Sequence, residues 1–191
     1  METDKIREEI IRSAQDLFRK YGYHKTSVNE IAKRAKIAKA TIYKYFESKE
    51  VLLHTILMDY LRISVNEIIE NTNEETNKSA YISNLILKTS RLSYAVCNEF
   101  IGWDFIRENT NSQEFLKTLS DDLEKLLIGS FLETHMFQQE ENSIEKLNFL
   151  IKASKSIVFS FAFTSVSDSD VRKNFVSFHK EILPYLVKAA I

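Results

Sequence analysis

Apolar residues recur at steps of three and four along most of the chain, so the pattern predicts helices separated by short polar breaks. Ile6, Ile10, Ala14, Leu17, Phe18 and Tyr21 form one apolar face over 5–21, and Gly22 behind them is a natural left-handed stop. Ser27, followed three residues later by Glu30, is a capping box that opens a short helix to Ala35, with Ile31, Ala32 and Ala35 inward. A second short helix spans 39–46, where Ala40, Ile42, Tyr43 and Phe46 are the apolar members. Ser48 caps a longer helix that carries Glu50 in its first turn and runs to about Glu70. The polar stretch 71–78 is a loop, and helical segments follow near 79–109 (bent around Asn98–Gly102), 112–137, 143–166 and 169–189. Ser167 and Asp170 make another Ser-x-x-acid cap at the start of the last segment. No segment has a convincing strand pattern and there is no internal repeat.

Composition agrees with an all-α fold. Only three glycines and one proline occur in 191 residues, which argues against turn-rich β folds and against disordered linkers. No uninterrupted apolar run reaches the roughly 18 residues a membrane span needs. The acidic start, Met1 to Asp4, does not read as a secretory signal. A single cysteine, Cys97, excludes an internal disulfide or a cysteine metal cluster. These features predict a cytoplasmic helical protein with no membrane partner.

Charge is where the chain becomes informative. The net charge is −1, yet residues 1–55 carry 12 Lys/Arg against 8 Asp/Glu, and residues 56–191 carry 14 against 19. The densest basic block is 22–49, and 33–46 contains no carboxylate. A local basic patch on a neutral chain suits a polyanionic partner that must be released as well as bound. The two short helices joined through Lys36-Ile37-Ala38 make a helix-turn-helix pattern. With Ile42 and Phe46 inward, the second helix leaves Lys39, Thr41, Tyr43, Lys44 and Tyr45 around its outer side. A major groove admits one α-helix between walls of phosphate, and lysines and hydroxyls suit that setting.

Enzyme motifs are missing. The four histidines (His24, His54, His135, His179) form no Glu-x-x-His pair of the kind a helical di-metal site uses. Glycine-rich phosphate loops, a nucleophile elbow and a Cys/His dyad are also absent. The expectation is a non-enzymatic protein without a cofactor or metal.

Between Ile6 and Leu57 a set of residues at fixed spacing stands out. It comprises Ala14-x-x-Leu17-Phe18, Gly22-Tyr-x-x-Thr26-Ser-Val-x-x-Ile31-Ala32, Ala35, Ala40-Thr-Ile-Tyr43, Tyr45-Phe46, Ser48-Lys-Glu50 and Leu52-Leu53. This stretch resembles the DNA-binding domain of the TetR family of bacterial transcriptional regulators. The resemblance implies an amino-terminal three-helix helix-turn-helix domain over 1–47. A helical effector-binding and dimerisation domain would occupy 48–191, with about nine helices in all. It implies phosphate contacts from Thr26, Ser27 and Lys49, and a recognition helix from Lys39 to Tyr45. Within that helix Thr41 and Lys44 would meet base edges, and Tyr43 and Tyr45 would pack on sugar-phosphate. Three positions depart from the family pattern. Lys36 stands where a turn glycine is common, Ala38 where serine is common and Ala40 where glycine is common. A non-glycine residue at positive φ costs on the order of 1 kcal/mol. Ala38 lacks a capping hydroxyl, Ala40 holds the backbone slightly farther from DNA, and Lys36 adds a cation at the same edge.

The later residues carry no family motif. Eleven of thirteen phenylalanines lie after residue 99, as does the sole tryptophan. Tyr94, Phe100, Trp103, Phe105, Phe131 and His135 are the expected lining for a small apolar or aromatic effector, in line with the sensing role the resemblance implies. The last two helical segments are apolar on more than one side, which predicts a homodimer closed by a four-helix bundle. The stripe Ile151, Ser154, Val158, Phe161, Phe175, Phe178 and Ile182 is the expected dimer interface. Together these readings give a ligand-responsive repressor that binds a near-palindromic operator in double-stranded DNA. The alternative is a helical adaptor of the same fold that has lost operator binding.

Overall fold

The structure is a computed structural model that describes residues 2–72, 77–103, 106, 113–134 and 142–190. Among these residues every regular element is helical. They are α1 (Glu2–Tyr21), α2 (Val28–Arg34), α3 (Lys39–Tyr45), α4 (Lys49–Glu70), α5 (Lys78–Val96), α6 (Gln113–Leu132), α7 (Ser143–Thr164), α8 (Asp168–Ser177) and α9 (Leu183–Ala190). Two one-turn π segments interrupt the run, Cys97–Ile101 after α5 and Phe178–Ile182 between α8 and α9. None of the described helices is long and apolar enough to cross a membrane.

The helix ends follow local chemistry. Gly22 takes φ +82° and its N–H bonds the Phe18 carbonyl at 2.8 Å, so α1 stops at the glycine. Ser48 Oγ accepts the Val51 N–H at 3.2 Å, and Ser167 Oγ accepts the Asp170 N–H at 3.2 Å. The expected bend near 98–102 is a π turn, closed by the Gly102 N–H on the Cys97 carbonyl, with Gly102 at φ +88°. The second π segment ends at Ile182, two residues before Pro184. A proline ring crowds the carbonyl four residues back, and a widened turn at that point relieves the clash.

Packing divides the chain into two compact units, 1–60 with 95–119 and 61–94 with 120–191. The first is built on Ile10, Ala14 and Phe18 of α1, which are fully buried with Ile31, Ile42, Phe46, Leu52, Leu53, Ile56 and Leu57. Their spacing on α1 is the face the sequence pattern predicts. The second has its core in Leu85, Ile86, Leu123, Leu127, Phe131, Leu147, Leu150, Val158, Phe178, Leu183 and Val187.

Candidate nucleic-acid interface

The turn between α2 and α3 fixes how α3 is presented. Ile31 and Ala32 are buried on α2 and Ile42 on α3, so each short helix turns its apolar side toward the core of the first unit. The chain leaves α2 through a complete Schellman motif. The Ile37 N–H bonds the Ala32 carbonyl at 3.0 Å, and the Lys36 N–H bonds the Lys33 carbonyl at 3.3 Å. Lys36 occupies the left-handed position of that motif at φ +56°, the strained non-glycine site anticipated from the sequence. Ala38 is the N-cap of α3 and provides no side-chain hydrogen bond there.

What remains outside on the turn and α3 bears no carboxylate of its own, because 33–46 contains none. Lys36, Lys39, Ala40, Tyr43 and Lys44 are exposed, and Thr41 and Tyr45 are partly so. Lys39 Nζ lies 5.9 Å from the centre of the Tyr43 ring, so cation and aromatic face share one edge of the helix. Seven sequence-predicted DNA residues are thus gathered on the turn and the outer side of α3.

Three others are placed differently. Thr26 is buried, and its hydroxyl donates to the Gly22 carbonyl at 2.9 Å and the Leu17 carbonyl at 3.3 Å. It ties the end of α1 to the start of α2 and has no hydroxyl to offer a phosphate. Ser27 closes its capping box completely. Its N–H and Oγ both donate to Glu30 Oε2 at 2.7 Å, and its Oγ accepts the Glu30 N–H at 3.2 Å. The Glu30 carboxylate, held below the usual range by the Ser27 N–H and hydroxyl, already occupies the place an external anion would take. Lys49 does not stand out as a phosphate clasp either. Its ammonium donates to the carbonyls of Tyr23 at 3.1 Å and Thr26 at 3.0 Å, and it sits 4.1 Å from the Tyr23 ring centre. Burial lowers its pKa, partly offset by Glu50 and Glu30.

Sequence reasoning gave no role to the residue at the centre of this arrangement. Tyr23 is buried against Phe18, with ring centres 5.5 Å apart, and its hydroxyl donates to Glu50 Oε1 at 2.8 Å. Burial and then the Glu50 hydrogen bond push its pKa far up, so it stays a neutral donor. Its N–H bonds the Phe100 carbonyl at 2.9 Å, within the first π segment. Arg19 reinforces that junction with Glu99 at 3.1 Å while lying 5.1 Å from both the Tyr60 and Phe100 ring centres. Its sequence signal is its place in the motif Gly22-Tyr-x-x-Thr26, directly after the left-handed glycine.

The expected effector residues are divided between the two units. Phe100 and Trp103 are buried in the first unit, where Phe100 packs 5.9 Å from Tyr60. Tyr94 and Phe131 belong to the second unit, Tyr94 edge-on to Phe175 at 5.7 Å and Phe131 buried. Phe105 and His135 lie outside the described residues. The second unit instead holds a cavity of about 30 Å³ lined by α5, α6 and α7, and none of the expected residues lines it.

The expected dimer stripe also needs correcting. Ile151, Ser154, Val158, Phe161, Phe175 and Phe178 are buried within the chain itself, and Ile182 is half-buried. Phe161 and Phe175 meet edge-to-face at 5.2 Å. The stripe is core because α7 packs against both α8 and α9 within one chain. The face left outward is the second apolar side of the hairpin. It carries Phe149, Ser156, Ser160 and Phe163 on α7, with Phe163 64% exposed, and Val176 and Tyr185 beyond it, Tyr185 74% exposed.

Residues 10–56 match the family described as bacterial regulatory proteins, tetR family. An uncharacterised HTH-type transcriptional regulator of Bacillus subtilis, YuxN, is 42% identical over 73 residues, which is 38% of this chain and 25% of that protein. The chain spans about a quarter to a third of the length of the first curated relatives it matches. The crystal structure of a TetR-family regulator from Mesorhizobium loti has the same fold, with a TM-score of 0.62 at 18% identity, over 100% of this chain and 96% of that one. The transcriptional regulator FadR of Bacillus subtilis, crystallised with stearoyl-CoA, matches with a TM-score of 0.56 at 21% identity, over 94% and 97%. At these identities the structural likeness is one of fold, whereas residues 10–56 match the family in sequence. Residues 10–56 are thus similar in sequence to the tetR family of bacterial regulatory proteins, and the whole chain is similar in fold to regulators of that family.

Proposed function

We propose that the chain is a ligand-responsive, DNA-binding transcriptional regulator that acts as a homodimer on a near-palindromic operator, with repression as its direction. Residues 1–47 serve as the DNA-binding part and 48–191 as the effector-binding and dimerisation part. The observation that carries this reading is α3, a helix anchored by Ile42 whose outer side presents Lys39, Tyr43 and Lys44 with no carboxylate. That surface suits the major groove, where Lys39 neutralises phosphate and Thr41 and Lys44 reach base edges.

The outward apolar face of α7 to α9 supports the dimer. A hairpin that buries one stripe and still exposes Phe149, Phe163, Val176 and Tyr185 matches a second copy across a two-fold axis. Two α3 helices so related would meet successive major-groove faces about one helical turn, roughly 34 Å, apart. The stearoyl-CoA in the FadR crystals supports ligand control in this fold. Effector binding would favour a conformer in which α4 tilts and the two α3 helices lose their groove spacing.

The test is selection of bound DNA from a random-sequence pool by the purified chain. Enrichment of an inverted repeat, bound more weakly as salt rises, is the expected outcome. Absence of any enriched sequence, or binding indifferent to salt, would remove the reading.

A further inference from the structure

The cavity in the second unit has a chemistry of its own. Its apolar wall is Ile86, Leu123, Leu127, Ile151, Val158 and Phe159, and its polar wall is set by Ser154, Thr89, Ser93 and the pair Glu124–Lys155. Ser154 is 2% exposed, and its Oγ finds no hydrogen-bond partner among the described residues. Nearly all buried hydroxyls are satisfied, so an unsatisfied one facing a cavity marks a position where a ligand group fits. Thr89 and Ser93 are also buried, and each donates its hydroxyl to a carbonyl of α5, those of Leu85 and Thr89, at 2.8 Å. Their oxygens therefore face the cavity chiefly as acceptors, while Ser154 is free to donate or accept.

The charges in the wall are already matched. Glu124 is ion-paired with Lys155, lies 4.0 Å from Lys152, and Lys155 also donates to Ser120 Oγ at 2.7 Å. A carboxylate entering the cavity would lie against Glu124, and an ammonium against Lys155. Either would be buried without a free counter-charge. A hydroxyl needs one donor and one acceptor, which is what Ser154 and the Thr89/Ser93 oxygens supply.

We propose that this cavity is the effector subsite and that it takes a small, uncharged, mainly apolar molecule bearing a hydroxyl group, an alcohol or a phenol. A volume of about 30 Å³ is close to that of one water, so such a molecule enters only as α5, α6 and α7 part. Ligand binding then selects an opened conformer, and this link to DNA release rests on the regulatory reading above.

The test uses the full chain and four molecules of like shape: benzyl alcohol, toluene, benzoate and benzylammonium, titrated by calorimetry and by shift of melting temperature. Benzyl alcohol is expected to bind saturably, at least tenfold tighter than toluene, with benzoate and benzylammonium weaker still. Ser154→Ala should abolish the preference for alcohol over toluene while leaving the melting temperature equal or higher, because the hydroxyl it removes has no partner. Tighter binding of either ion, non-saturable binding of the alcohol, an unchanged preference in Ser154→Ala, or a lower melting temperature of that variant would each overturn the proposal. DNA affinity of the selected sequence is measured alongside. Normal DNA binding without alcohol binding defeats the subsite alone, and alcohol binding without DNA binding defeats the regulatory reading alone.

Discussion

Helices α3 and α7 treat their surfaces in opposite ways. In α3 one residue, Ile42, is buried along a seven-residue helix, and the remaining side chains face outward with no acid among them. In α7 eight residues are buried along 22, and apolar side chains still remain on the outside. The first helix has little to hold it except its anchor and the turn before it, so its outward residues answer to something other than its own core. The second is held by its own chain and has apolar surface in excess. The contrast separates a polar surface shaped for a charged partner from an apolar surface shaped for another protein face.

The strongest way to break the comparison is to place one carboxylate in each region. Ala40→Glu puts an acid on each α3 surface of the dimer, where like-charge contact with phosphate costs on the order of 3 kcal/mol for the two copies together. Affinity for the selected DNA should fall about 100-fold while unfolding stability changes by less than about 0.5 kcal/mol. Fluorescence anisotropy and urea unfolding measure the two effects. Phe163→Glu in α7 should shift the sedimentation profile toward monomer, leaving the α3 surface intact.

A smaller effect comes from Thr26, where the sequence suggested phosphate and the structure shows a structural tie. Thr26→Val removes the hydroxyl that donates to two main-chain carbonyls and should lower stability by about 1–2 kcal/mol, with DNA affinity per folded molecule unchanged. Thr26→Ser should retain most of the stability. A loss of affinity in Thr26→Val without loss of stability would restore the phosphate contact.

The smallest effect is a gain. Ala38→Ser supplies the missing hydroxyl at the N-cap of α3, worth about 1 kcal/mol in stability. Thermal denaturation in identical buffer reads it directly.

These sites also show how far the sequence carried. Gly22, Ser27 with Glu30, Ser48, and Ser167 with Asp170 were readable because a cap is a local signal, set by residues within three or four positions. The outer side of α3 was readable because so short a helix has few ways to bury Ile42. Thr26 and Lys49 were misjudged because their direction depends on carbonyls 4 to 26 positions away, at Gly22, Leu17 and Tyr23. The two stripes of α7 were equally apolar, and which one turns inward is decided by α8 and α9, not by its own period. The cavity gathers Thr89, Ser93, Glu124 and Ser154 from three helices, and no spacing in the sequence announces that.

The central claim is that the outer side of α3 engages the phosphate-lined groove of DNA. It is tested most directly by the salt dependence of binding, compared between the native chain and a Lys39→Ala/Lys44→Ala variant on the same selected DNA. Each lysine lost from a phosphate contact lowers the slope of log K against log salt by about 1, so a dimer lacking Lys39 should show a slope shallower by about 2, and loss of Lys44 from the base edges should weaken binding further. An unchanged slope and affinity in a folded, dimeric variant would contradict the account.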